Sequence, residues 1–205
     1  MFASLIAYTV AAALLTITPG ADTLLVVRHA GGRGVTAGFA AALGIVAGTM
    51  VWGAIVALGV AALIVANPLL YDLLKWAGAA YLVWLGMQLL LPKPDRPNDA
   101  TTPPSSRLGS PFASGLLTNL LNPKVGVFYL AFLPQFIPPG VAQGPFILLL
   151  AAIHGCLGLI WFAMLIAGID RAAPAMRSPR VTNALSKVTG ILFVGFGTRL
   201  LLSSR

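Results

Sequence analysis

Long apolar runs separated by short polar breaks organise the chain. Runs of spanning length cover roughly 2–27, 38–65, 69–91, 112–133, 146–169 and 183–203. About 20 residues cross a bilayer core, so the pattern predicts six transmembrane helices in an all-α integral membrane protein. Two of the runs are interrupted. "ALLTITPGADTLLVV", residues 13–27, sets Thr18, Pro19, Gly20 and Asp22 inside the first, and "LLTNLLNPKVGVFYL", residues 116–130, sets Asn119, Asn122, Pro123 and Lys124 inside the fourth. From Leu14 and Leu116 respectively, both run Leu-Leu-Thr, place a polar residue before a proline and continue apolar. The stretch 92–111 is rich in proline, serine and charge and reads as a cytoplasmic linker between an N-terminal half, 1–91, and a C-terminal half, 112–205. Each half carries three predicted helices. Because three is odd, equivalent helices cross in opposite directions, and the expected layout is an inverted repeat of two three-helix halves.

Composition fixes the solvent. With 58% hydrophobic and 9% charged residues and a mean hydropathy of +0.91, the chain lies outside the range of a water-soluble domain, and its medium is the lipid bilayer. The formal charge of +8 does not point to nucleic acid, because the basic residues sit in short loops between apolar runs and form no basic face. Arg28, Arg33, Lys93, Arg96, Arg107, Arg171, Arg177 and Arg180 fall on one side of six spans, and Lys75, Arg199 and Arg205 on the other. The positive-inside rule makes the first side cytoplasmic and puts both termini outside. No basic region precedes the first apolar run, which reads as a retained helix. A single cysteine, Cys156, two histidines and no glutamate leave no basis for a paired-thiol centre, a metal cluster or an enzyme, so no metal and no cofactor is expected.

The interruptions carry the candidate chemistry. Pro19 lacks an amide hydrogen and clashes with the Leu15 carbonyl, and Gly20 permits a further departure from helical geometry; Pro123 does the same to the Asn119 carbonyl. Carbonyls freed in lipid need partners from side chains, neighbouring helices or cavity water. Asp22 and Lys124 follow the breaks, and a charge at membrane depth must find an interior partner. They are the natural pair. Alternatively, the carboxylate takes a substrate ammonium and the lysine a substrate carboxylate, which complements a zwitterionic amino acid. A carboxylate in such a cavity can also take up and release a proton, offering a means of coupling. His154, inside the fifth run, is a further candidate proton relay. Gly44 and Gly48 in "GIVAG" read as helix packing, Trp52 and Trp84 are given no role, and Gln135 stands at the outer end of the fourth run as a gate or a water-facing residue.

"TPGADTLLVVRHAGGRGVTAGFAAALGIVAG" together with "NLLNPKVGVFYLAFLPQF" resembles the LysE/RhtB family of amino-acid exporters over nearly the whole chain. Many relatives carry proline where this chain has Ala21, and Asn or Asp where it has Asp22. The resemblance implies a multi-pass protein of the bacterial inner membrane that exports a small amino acid or derivative by proton antiport and can assemble as a homodimer. A passive channel or membrane assembly subunit is the alternative class; flux that ignores the proton gradient would mark it.

Overall fold

The computed structural model describes residues 1–66, 68–91 and 110–202, and across them the chain is helical with no strand. Helices are the open-ended solution for an apolar chain in lipid, because each segment satisfies its own backbone. In chain order they are α1 (Phe2–Ile17), α2 (Ala21–Arg33), α3 (Val35–Ala66), α4 (Pro68–Leu90), α5 (Pro111–Leu120), α6 (Pro123–Val127), α7 (Gln143–Ala167), α8 (Ile169–Arg177) and α9 (Pro179–Leu202). A π turn over Phe128–Phe132 and a 3₁₀ turn over Leu133–Phe136 extend α6. Of the expected linker, 92–109 lies outside the described residues. Beyond it, the Ser110 hydroxyl accepts from the Ala113 amide at 3.2 Å and caps α5.

Both expected interruptions are present. The chain bends by 52° between α1 and α2 and by 51° between α5 and the segment Pro123–Phe136. Val35–Gly59 and Gln143–Ala167 are each long and apolar enough to cross a membrane, and counting each bent pair as one span raises the number to four among the described residues. The other two predicted spans fall on the helices α4 and α9, neither of which meets that measure among the described residues, so two to four of the six expected spans are found there. In α4 the apolar stretch is the shorter Trp76–Leu90, and α9 begins with the polar run that holds Arg180, Asn183, Ser186 and Lys187.

Two apolar clusters lie along the bundle on either side of the breaks. One gathers Tyr8, Leu15, Phe128, Tyr129, Phe132 and Leu150; the other gathers Val26, Ala41, Ile45, Phe162 and Ile166. Large apolar side chains such as Val10, Leu58, Trp84, Ile160 and Ile191 are exposed, as lipid-facing positions require. Small residues set the closest helix approaches: a Cβ on Gly86 would lie 2.7 Å from the Gly190 carbonyl oxygen between α4 and α9, and one on Gly44 would lie 2.0 Å from the Phe112 oxygen between α3 and α5.

Candidate functional site

At the first break, Thr16 returns its hydroxyl to the Ala12 oxygen at 2.7 Å and Thr18 to the Leu14 oxygen at 2.6 Å. The Leu15 carbonyl that Pro19 frees is taken from outside the helix: Lys124 Nζ donates to it at 3.1 Å and to the Thr18 oxygen at 3.2 Å. At the second break, the Asn119 carbonyl that Pro123 frees accepts from the Asn122 amide at 3.1 Å and from the indole Nε1 of Trp52 at 3.4 Å. Thr18 also meets the Thr189 hydroxyl of α9, tying the first break to the last helix.

Asp22 sits in the first turn of α2, where a carboxylate complements the helix dipole. Asn119 Nδ2 donates to its Oδ2 at 2.8 Å and Asn122 Nδ2 to its Oδ1 at 3.2 Å. Asn122 does double duty, since its Oδ1 also accepts from the Lys124 amide at 3.1 Å and caps α6. The direct Asp22–Lys124 ion pair considered from the sequence is not formed. The ammonium reaches the carbonyls freed on α1, while the carboxylate faces the two asparagines, so each charge is held by neutral dipoles. Both keep spare capacity. A lysine ammonium has three donors and here uses two, and a carboxylate with two accepted bonds retains free lone pairs.

These groups enclose a cavity of about 40 Å³. Thr18, Gly20, Asp22, Asn119, Asn122, Lys124 and His154 all line it, whereas Pro19 and Pro123 do not. His154 is buried and shares a 3.2 Å hydrogen bond with the Tyr129 hydroxyl through Nδ1. Asn119 Oδ1 is buried with no partner and lies against Gly48, where an added Cβ would stand 2.7 Å from it. Gly48 is therefore more than a packing residue: its missing side chain is the space Asn119 occupies.

Thr49 lines the cavity without having been singled out for it, and Trp52, Tyr129 and Thr189 stand behind the lining, bonded to the Asn119 carbonyl, to His154 and to Thr18. Trp52 alone left a trace in the sequence, as an indole donor deep in an apolar run, though nothing local connected it to a carbonyl on α5. Among the described residues no group of His, Cys, Asp and Glu is arranged to hold a metal ion.

Larger cavities lie at both ends of the bundle. One, of about 420 Å³, is lined by Ser4, Ala7, Phe136 and Arg199 and also by Gln135; the other, of about 730 Å³, is lined by Arg28, Gly31 and Asp170. The first apolar cluster separates the central cavity from the former and the second separates it from the latter.

The model of the LysE type translocator family matches residues 13–204. The chain is 34% identical to the membrane protein YrhP of Bacillus subtilis (strain 168), over 98% of this chain and 99% of that one. It is 36% identical to the membrane protein PA4757 of Pseudomonas aeruginosa, over 94% and 92%. It is 33% identical to the leucine efflux protein of Enterobacter sp. (strain 638), again over 94% and 92%. No solved structure matches. The family match spans both breaks and every residue of the central cavity, and the chain belongs to the LysE type translocator family.

Proposed function

We propose that this chain exports a small amino acid or derivative from the bacterial cytoplasm in exchange for protons entering from outside. The observation that carries the reading is the central cavity, where two bent helices present one carboxylate and one ammonium, each bound to neutral groups and each with bonding capacity to spare. A zwitterion matches that pair, with its ammonium on Asp22 and its carboxylate on Lys124. The N-terminus of α2, which has no side-chain cap at Gly20, opens beside Lys124 and adds favourable field for a carboxylate. The leucine efflux relatives make leucine the first substrate to try.

The cavity of about 40 Å³ holds a water or two, far below the roughly 300 Å³ or more of a typical ligand pocket, so a substrate needs the helices to part. Apolar plugs stand on both sides of it, which suits a site exposed to each face in turn. The nearly equal bends at Pro19 and Pro123 support the inverted repeat of halves 1–91 and 112–205, whose exchange of conformations would produce the two access states. With Arg28, Arg33, Arg171 and Arg180 cytoplasmic, the Ser4–Arg199 cavity faces outside, as do both termini. Asp22 is the group that binds a proton on the outside and releases it inside.

The test uses proteoliposomes with an imposed pH gradient and labelled amino acids, leucine first. The wild-type chain should move substrate against protons, and Asp22→Asn, which keeps shape but cannot titrate, should not. If Asp22→Asn exchanges substrate for protons at the wild-type rate, the coupling role is wrong. If flux ignores the gradient the chain is a passive channel, and if no amino acid moves the proposal fails.

A further inference from the structure

Between the central cavity and the Ser4–Arg199 cavity stands a plug of rings. Tyr8 lies 5.9 Å from Phe128 and edge-on to Phe136 at 5.4 Å, and Phe132 bridges Phe128 and Phe136 at 5.0 and 4.8 Å. Rings packed at these separations leave no passage for a hydrated solute. The plug nevertheless contains three polar groups that space-filling does not require. Tyr8 is fully buried, and its hydroxyl makes no hydrogen bond of normal geometry, the Tyr129 hydroxyl standing beside it just out of reach. Tyr129 is also fully buried and is bonded to His154 Nδ1, with the two rings stacked 5.7 Å apart. His154 borders the central cavity, while Ala7, next to Tyr8 in sequence, borders the other one. Burying hydroxyls is costly unless they are bonded, and phenylalanine would fill the same volume at both tyrosine positions.

We infer that Tyr8, Tyr129 and His154 form a proton path from the outer cavity to the central site, separate from the route the substrate takes. It rests on the proton-coupled reading above. A hydroxyl accepts a proton on its oxygen while releasing its own. A proton arriving from the outer cavity therefore binds the Tyr8 oxygen as the Tyr8 proton moves to the Tyr129 oxygen, and the Tyr129 proton moves to His154 Nδ1. The imidazolium then gives up its Nε2 proton, through a water in the cavity, to the Asp22 carboxylate. Each tyrosine ends neutral and its hydroxyl rotates back, and a turn of the imidazole that brings Nδ1–H to the cavity water lets that proton be exchanged for one on Nε2, which resets His154. The path requires His154 to begin with its proton on Nε2, which leaves Nδ1 to accept from Tyr129.

The charged and titratable groups facing His154 are Tyr129 from the π turn, Lys124 from α6 and Asp22 from α2, the last two across the cavity. Tyr8 is the open link. With its hydroxyl unpartnered, the chain of donors is interrupted while the site is closed, and it closes when α1 shifts against the π turn at Phe128–Phe132. Protons then pass only in the state that admits them from outside, and do not leak through the closed one.

Tyr129→Phe and Tyr8→Phe remove the hydroxyls and keep the rings. In proteoliposomes loaded with a mixture of the common amino acids, two fluxes are compared: efflux driven by an imposed pH gradient, and exchange of labelled for unlabelled substrate at equal pH, which needs no net proton movement. Each variant should lose at least tenfold in the driven flux and stay within twofold of wild type in the exchange. Equal loss of both fluxes in both variants would mean that the hydroxyls only support the fold, and driven flux at the wild-type level would mean that protons travel elsewhere; either overturns the path. If the wild-type chain itself moves no amino acid against protons, the reading beneath the inference has failed, and the inference with it. The variants leave that outcome distinct, because it appears before any substitution is made.

Discussion

Adding one methyl group to the site wall should disable it. In Gly48→Ala the new Cβ would stand 2.7 Å from Asn119 Oδ1, 3.0 Å from its Cβ and 3.1 Å from its Cγ. To reach ordinary contact, the asparagine side chain must retreat by about 0.7 Å, because repulsion rises steeply inside the van der Waals minimum. Its freedom is small, since its own carbonyl is held by Trp52 and its Nδ2 is bonded to Asp22 at 2.8 Å. A retreat of that size along the bond would stretch it to about 3.5 Å, past the normal hydrogen-bond range. A hydrogen bond to a charged group contributes about 1.5–3 kcal/mol, so the loss corresponds to roughly a 10- to 150-fold weakening of whatever depends on Asp22 being held in place. The assay is proton-driven leucine flux in proteoliposomes, with Gly59→Ala as the control on the same helix, because a Cβ there meets nothing within 4 Å. Gly48→Ala should lose at least tenfold in flux at limiting substrate while the control keeps wild-type flux. Wild-type flux in both variants would refute the argument that Gly48 exists to make room for Asn119.

Three further outcomes are expected. Trp52→Phe removes the indole donor to the Asn119 carbonyl, which keeps the Asn122 amide, so stability should fall by about 0.5–1.5 kcal/mol, read as a lower melting temperature in detergent. Gly190→Ala would put a Cβ 2.8 Å from the Gly86 oxygen, a backbone atom that cannot rotate away, and should cost about 1–3 kcal/mol, against no loss for Gly195→Ala on the same helix. A C-terminal fluorescent protein that matures only in the cytoplasm should stay dark if the positive-inside expectation of two outer termini holds; bright cells would reverse the orientation.

What the sequence determined by itself was local. Proline lacks an amide hydrogen wherever it stands, so Pro19 and Pro123 announced the freed Leu15 and Asn119 carbonyls, and the bends of 52° and 51° appear where they were expected. The apolar runs likewise announced helices, because backbone groups in lipid must be satisfied within the segment. The cost of an isolated charge marked Asp22 and Lys124 as interior residues before any geometry was known.

Tertiary structure alone decided which group answers which. Asp22 and Lys124 reach the same cavity but do not bond to each other, because the nearest partner for the ammonium is backbone exposed on α1 and the nearest for the carboxylate is a pair of amides on α5 and at the cap of α6. Trp52 on a third helix supplies the indole for the second break, and Gly48 matters through a side chain 71 positions further along. Hydrogen bonds and steric contacts act over about 3 Å, and no pattern along the chain records which residues far apart in sequence will meet at that distance.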